Sequence, residues 1–280
     1  IEDNFEKHPF FHSLIRENSV ERILRKEKYI IDNRKISSCY RFSYEFSPKY
    51  AEEPIHIEFS FDINSAFQQR VFAIIGENGV GKTQLITALP LDLAKRRENL
   101  FAPQVPLYSK VIAVSTSLYD SFDVPKNSVG FNYVYCGLAC GKKDNKTILA
   151  PKELKLKLLQ TIKTINGRER AESLKNILSP LYSADIISAL FTIQEEKIKV
   201  NQARLVEIVD YMSSGESSLL FIFCNIVANI RYDSLILFDE PETHLHPNAI
   251  TSLMSSIYQL LDEYQSYAII VHIPLLLFEK

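Results

Sequence analysis

Long hydrophobic runs, cysteine and net charge are all scarce in this chain, and each shortage removes a class of function. The longest apolar stretches, 219–230 and 268–278, are shorter than the roughly 18 residues that span a bilayer, and each carries a polar residue, Asn225 or His272. They read as buried core, so no membrane partner is expected. Four cysteines, Cys39, Cys136, Cys140 and Cys224, form no dense disulfide framework, and no positively charged leader precedes an apolar stretch. A reducing cytoplasm is the expected location. A formal net charge of −2 gives no bulk field for nucleic acid or anionic lipid, so any such contact has to come from a local patch. The pairs Cys136/Cys140 and His8/His12 have no second pair at metal-finger spacing and read as buried thiols and surface imidazoles. Repeats at a solenoid period, low-complexity tracts and sustained heptads are also missing.

What is there is ordinary globular material, 46% hydrophobic and 24% charged over 280 residues, enough for one large domain. The chain opens with Ile1 instead of Met and stops at Lys280 after a strand-like run, so a fragment is expected, with a further domain after Lys280 left open. Residues 1–36 are charged with scattered Phe, Ile and Leu; Val20, Ile23 and Leu24 give 19–31 a helical spacing, a peripheral entry. In 37–61, CYRFSYEF and IHIEFSF alternate apolar with polar, the period of half-exposed antiparallel strands. VFAII at 71–75, VIAV at 111–114, LILF at 235–238 and AIIV at 268–271 are short continuous apolar runs, the mark of buried parallel strands. Ile250, Leu253, Met254, Ile257, Leu260, Leu261 and Tyr264 form one face of an amphipathic helix after Pro247. Strands alternating with helices predict a doubly wound α/β core. The stretch 151–203, with three Leu- and Lys-rich helical segments, breaks that rhythm and reads as an insertion.

The chemistry gathers first in GENGVGKT, Gly76 to Thr83, which follows a predicted strand and precedes a predicted helix. Its Gly76, Glu77, Asn78, Gly79, Val80 and Gly81 supply a turn whose amides can face phosphate oxygens at a helix N-terminus. Lys82 reaches the β and γ phosphates, and Thr83 is placed to ligate magnesium. LILFDEP then ends an apolar strand in two acids at the carboxyl edge, where α/β sheets bind ligands. Asp239 is the candidate second magnesium ligand and Glu240 the candidate general base for an attacking water. Two acids after a strand read equally well as a solvated loop when taken alone.

GENGVGKT, then SSGE at 213–216, then FDEPETHLHP at 238–247, then His272 after a strand resemble the motif series of ABC-type ATPases in its usual order. The resemblance implies a P-loop NTPase of α/β class, an ABC-type head over 1–280. It comprises the entry 1–36, a β subdomain with the phosphate-loop lobe over 37–150, the insertion 151–203, and the signature, acid and switch segments over 204–280. It implies ATP and Mg2+ as cofactors, hydrolysis as the activity, and a homodimer in which Ser214 and Gly215 of one head meet the γ-phosphate held by the other. Without the family, SSGE is a helix N-cap. His272 matches a switch histidine, although it stands in Val-His-Ile-Pro; the alternative is a structural histidine at a strand end. No glutamine follows the strand at 111–114, where Ser115, Ser117 and Asp120 stand instead. His244 and His246 fall by the same resemblance in the loop that crosses the dimer interface.

ETHLHP and the compact insertion look most like bacterial relatives of the chromosome-maintenance and recombination-repair ATPases. These include overcoming-lysogenization-defect nucleases and the ATPases of Septu-type or retron-linked phage defence. That implies an HNH-like or TOPRIM-like nuclease partner. A repair or chromosome-maintenance ATPase, the cytosolic engine of a membrane transporter, and a clamp that holds ATP without turnover are the alternatives. Lys95, Arg96, Arg97 and GKKDNK at 141–146 read either as nucleic-acid contacts or as solvated surface.

Overall fold

The computed structural model describes residues 27, 31, 41–49, 53–61, 69–77, 79–95, 97–106, 108–115, 133–137, 139–140, 147–148, 151–242, 245 and 247–272. The entry helix predicted over 19–31 lies outside them apart from two positions. In chain order the strands are β1 (Arg41–Phe46), β2 (Ile55–Ser60), β3 (Val71–Ile75), β4 (Phe101–Ala102), β5 (Lys110–Ser115), β6 (Tyr133–Gly137), β7 (Ala139–Cys140), β8 (Thr147–Ile148), β9 (Phe191–Gln194), β10 (Lys197–Val200), β11 (Ser234–Asp239) and β12 (Tyr267–His272). The helices are α1 (Lys82–Ala94), α2 (Pro151–Gly167), α3 (Ala171–Leu178), α4 (Ala184–Leu190), α5 (Gln202–Tyr211), α6 (Ser214–Asn229) and α7 (Pro247–Glu263).

The main sheet runs β3-β12-β11-β5-β6 and is parallel throughout. All four predicted parallel strands are in it; β6, YVYCG, was not predicted. The two-residue period of a strand explains how the sheet is covered. Ile236 and Phe238 of β11, Ala268 and Ile270 of β12, and Ile112 and Val114 of β5 face one core with the buried residues of α6, α7 and the insertion. Leu235, Leu237, Ile269, Val271, Val111 and Ala113 face a second core with Leu85, Ile86 and Leu89 of α1. That second core is aromatic, because β2-β1-β4, the expected antiparallel sheet, adds Phe42, Tyr44, Phe59 and Phe101 to it. The Tyr44 hydroxyl donates to Asp92 Oδ2 at 2.6 Å, tying this sheet to α1. The strand 71–75 departs from its apolar reading: it forms an end of the five-stranded array, and its residues are half-buried or exposed.

The insertion is helical as expected through α2, α3 and α4, but it closes with a hairpin, β9-β10, that periodicity did not reveal. It grips α6 along its length. Tyr182 Oη donates to the Glu216 carbonyl at 2.7 Å, and Thr161 Oγ1 donates to Asn225 Oδ1 at 3.4 Å in the buried middle. Arg168 and Arg170 donate to the carbonyls of Ala228, Val227 and Ile230 at 2.7–2.9 Å. Two cations on the last carbonyls of a helix also suit its dipole.

Lys110, at the start of β5, lies near that positive group. Burial first, then Arg231, Arg168 and Arg170, hold its ammonium down to about 8. In the unfolded chain a lysine keeps its proton to about 10.4, so between these values the unfolded state binds more protons and stability rises with pH. Below pH 8 the charged side chain costs on the order of 3 kcal/mol. Lys110→Met is therefore expected to raise the urea midpoint at pH 7 and to lose most of that gain by pH 10. An equal gain at both would contradict the assignment.

Candidate functional site

All five strands of the main sheet end on one edge in register. His272 pairs with Ile75, Asp239 with both Val271 and Ser115, and Ser115 with Gly137. The phosphate-loop strand and the acid strand are separated only by β12, and at about 4.8 Å per strand their ends are roughly 10 Å apart. His272 ends the strand between them.

The loop that leaves β3 turns because Gly79 and Gly81 take φ of 87° and 95°, a left-handed backbone that side chains resist and glycine does not. Gly81 is also the N-cap of α1. Lys82 opens that helix and folds back, its Nζ donating to the carbonyls of Gly76 at 2.7 Å and Glu77 at 2.8 Å. The side chain is 8% exposed. An ammonium has three N–H groups, and these two carbonyls take two of them. Thr83 follows on the first turn. Pro48 lies against Gly81, 3.7 Å from where a Cβ would be, and the Lys49 amide donates to Gln84 Oε1 at 3.1 Å. The β1-β2 connection thus braces the loop, a contact between segments too distant for sequence spacing to reveal.

Asp239 is the last residue of a strand buried along all six positions. Its parity with Leu235 and Leu237 turns it to the face that α1 covers, the side of the sheet on which Lys82 and Thr83 begin their helix. A carboxylate and a threonine hydroxyl are oxygen donors of the kind that hold magnesium, and loop amides are donors to the oxygens of a polyphosphate. Glu240 then leaves the strand with φ 45° while its amide donates to the Val271 carbonyl at 3.0 Å. A left-handed glutamate is costly, and the kink sends its side chain off the strand's alternation. Asn78, Ser117, Asp120, His244, His246 and the 141–146 turn lie outside the described residues; His272 is described by its backbone alone. Ser115 is fully buried beside Asp239. Of the basic cluster at 95–97, Arg97 pairs with Asp92 at 3.1 Å and Lys95 is exposed.

The signature turn is elsewhere. Ser213 caps α6 in a capping box: its hydroxyl faces the Glu216 amide at 3.3 Å, and Glu216 Oε2 accepts from the Ser213 amide at 2.9 Å and hydroxyl at 2.7 Å. These hydrogen bonds hold the Glu216 carboxyl below the usual range. Ser214 is exposed and Gly215 half-buried. They line a cleft of about 440 Å3 with Leu181, Tyr182, Leu245 and Ser252. The body of α6 packs in the core of one sheet face and α1 in the other, so the two motif helices of a single chain lie on opposite sides of the sheet. Among the described residues, no group of three or more His, Cys, Asp or Glu gathers for a metal, and no helix is long and apolar enough to cross a membrane.

A glycine loop holding a buried lysine, with a strand-ending aspartate two strands away on the same sheet edge, belongs to a P-loop NTPase fold of α/β class. Residues 90–271 match the family described as "AAA domain, putative AbiEii toxin, Type IV TA system", and the chain belongs to that family. The matched span opens inside α1, after the loop at 76–83. Protein ea59 of Escherichia phage lambda is 25% identical over 303 residues, covering 95% of this chain and 57% of that protein. The chain thus spans a little over half the length of that relative. UvrA2 from Deinococcus radiodurans has 11% identity and a TM-score of 0.43, over 83% of this chain and 33% of that one. For cbiO1 from Clostridium perfringens, part of an ABC transporter complex, the values are 14% and 0.41, over 83% and 78%.

Proposed function

We propose that the protein is an ATP-hydrolysing head that closes on a second copy around Mg-ATP. Closure then gates a nuclease, HNH-like or TOPRIM-like, or another nucleic-acid activity in bacterial antiphage defence. The observation that carries the pairing is the placement of α1 and α6 on opposite faces of the sheet. Ser214 and Gly215 begin a helix on the face opposite to that of the phosphate-loop helix, and in this reading a two-fold copy brings the matching surface to each. In this reading the amides of 76–81 and Lys82 bind the phosphates, Thr83 and Asp239 hold magnesium, and Glu240 orients the attacking water. His272, at the end of the intervening strand, is the switch histidine of this reading. Bound Mg-ATP supplies the electrophilic phosphorus, its charge spread over magnesium and the loop. The defence role is supported by the family description, which names a toxin of a Type IV TA system, and by a relative encoded in a phage.

Ser214→Glu tests the pairing. A carboxylate suits a helix start, so the fold is kept, but it repels a γ-phosphate brought by the other head. Mg-ATP is expected to double the mass of the parent in sedimentation and to leave the variant single at unchanged ATP affinity. A parent that never pairs, or a variant that pairs as well, overturns the reading.

A further inference from the structure

The insertion has no part in the site described so far, yet one of its side chains reaches the first turn of α6. Tyr182 stands between α3 and α4, and it is 6% exposed. Its hydroxyl donates to the Glu216 carbonyl at 2.7 Å and also faces the Leu220 amide, the group that a regular helix would pair with that same carbonyl. The phenol thus sits at the carbonyl and the amide that a regular helix joins, in the opening turns of α6. Glu216 in turn fixes Ser213 through the capping box, and Tyr182 shares the cleft wall with Ser213, Ser214 and Gly215. We propose that Tyr182 is a positioning residue. It sets the orientation in which the 213–215 turn is offered to the second head, and so links the helical insertion to nucleotide turnover. This rests on the paired-head reading.

The linkage follows from how little freedom the contact leaves. Oη bonds a carbonyl at 2.7 Å, and α6 is held again at Asn225 and at its C-terminal carbonyls by the same insertion. The insertion and α6 therefore move as one body. A displacement of the insertion, by a partner or by closure, reaches Ser214 through Tyr182 without passing through the phosphate loop.

Tyr182→Phe removes the hydroxyl and leaves the ring. Thr161→Val serves as the control, since it deletes a contact of the same insertion on the same helix far from the cleft. Each variant is expected to lower Tm by about 2–4 °C, the scale of one lost hydrogen bond in a domain of this size. Tyr182→Phe is expected to lower kcat for ATP about tenfold and to weaken Mg-ATP-dependent pairing in a Glu240→Gln background. The ATP affinity of the unpaired head should stay within about twofold of the parent. Thr161→Val should keep the parental kcat. Parental kcat and pairing in Tyr182→Phe, or an equal loss of kcat in both variants, overturns the assignment. A parent that neither pairs nor hydrolyses ATP instead overturns the reading on which it rests.

Discussion

Glu240→Gln is expected to bind ATP as the parent does and to hydrolyse it 10²–10⁴ times more slowly, the range that a positioned general base contributes. The amide keeps the size of the carboxylate and can still contact a water, but it cannot take its proton. The backbone kink at Glu240 is held by the bond from its amide to the Val271 carbonyl, which the substitution does not touch. Folding and nucleotide affinity should therefore be unchanged, and Mg-ATP should hold the variant as a long-lived pair. Phosphate release followed with the variant and parent side by side checks this. Equal rates would remove Glu240 as the base and leave the loop assignment standing.

Lys82→Ala acts one step earlier. The parental ammonium is buried and bonded to the Gly76 and Glu77 carbonyls of the loop. Its removal takes away a charge-assisted contact to phosphate, and the two carbonyls once bonded to it turn to water. A loss of at least about 100-fold in ATP affinity is expected, about 2.8 kcal/mol on the binding scale, with the fold retained because α1 keeps Leu85, Ile86 and Leu89 in the core. Calorimetric titration with ATP and magnesium decides it, and undiminished affinity would remove the phosphate-loop assignment. Asp239 offers no comparable test of binding alone, since it ends a fully buried strand and its loss also disturbs packing.

The phosphate loop and the acid strand were legible in the sequence because their chemistry restricts residue type at each position. Positive φ at 79 and 81 calls for glycine, and glycine is there. The strands 235–238 and 268–271 were legible for a related reason: a strand buried on both faces has no polar positions to interrupt it. The β9-β10 hairpin was not. Its turn residues, Glu195 and Glu196, both take positive φ, 52° and 62°, in positions where Asn and Gly are the usual signal. Phe191 and Val200 at the hairpin's base enter the core and Ile198 packs against it, while Ile193 is 78% exposed, so the strands do not keep a clean alternation. The exposure of β3 escaped for the converse reason, since VFAII has the composition of a central strand and stands at an end of the array. The brace from 48–49 to the loop and the Tyr182 contact join residues 30 or more positions apart, and no local period records them.

The left-handed backbone at Glu240 carries a further consequence. A glutamate there costs roughly 1–2 kcal/mol that a glycine would not. Drift governed only by the need to stay folded would replace this residue early. On the role proposed for Glu240, a lineage that retains it still releases phosphate, and one that has traded it for glycine would keep a robust, nucleotide-loaded scaffold that never resets.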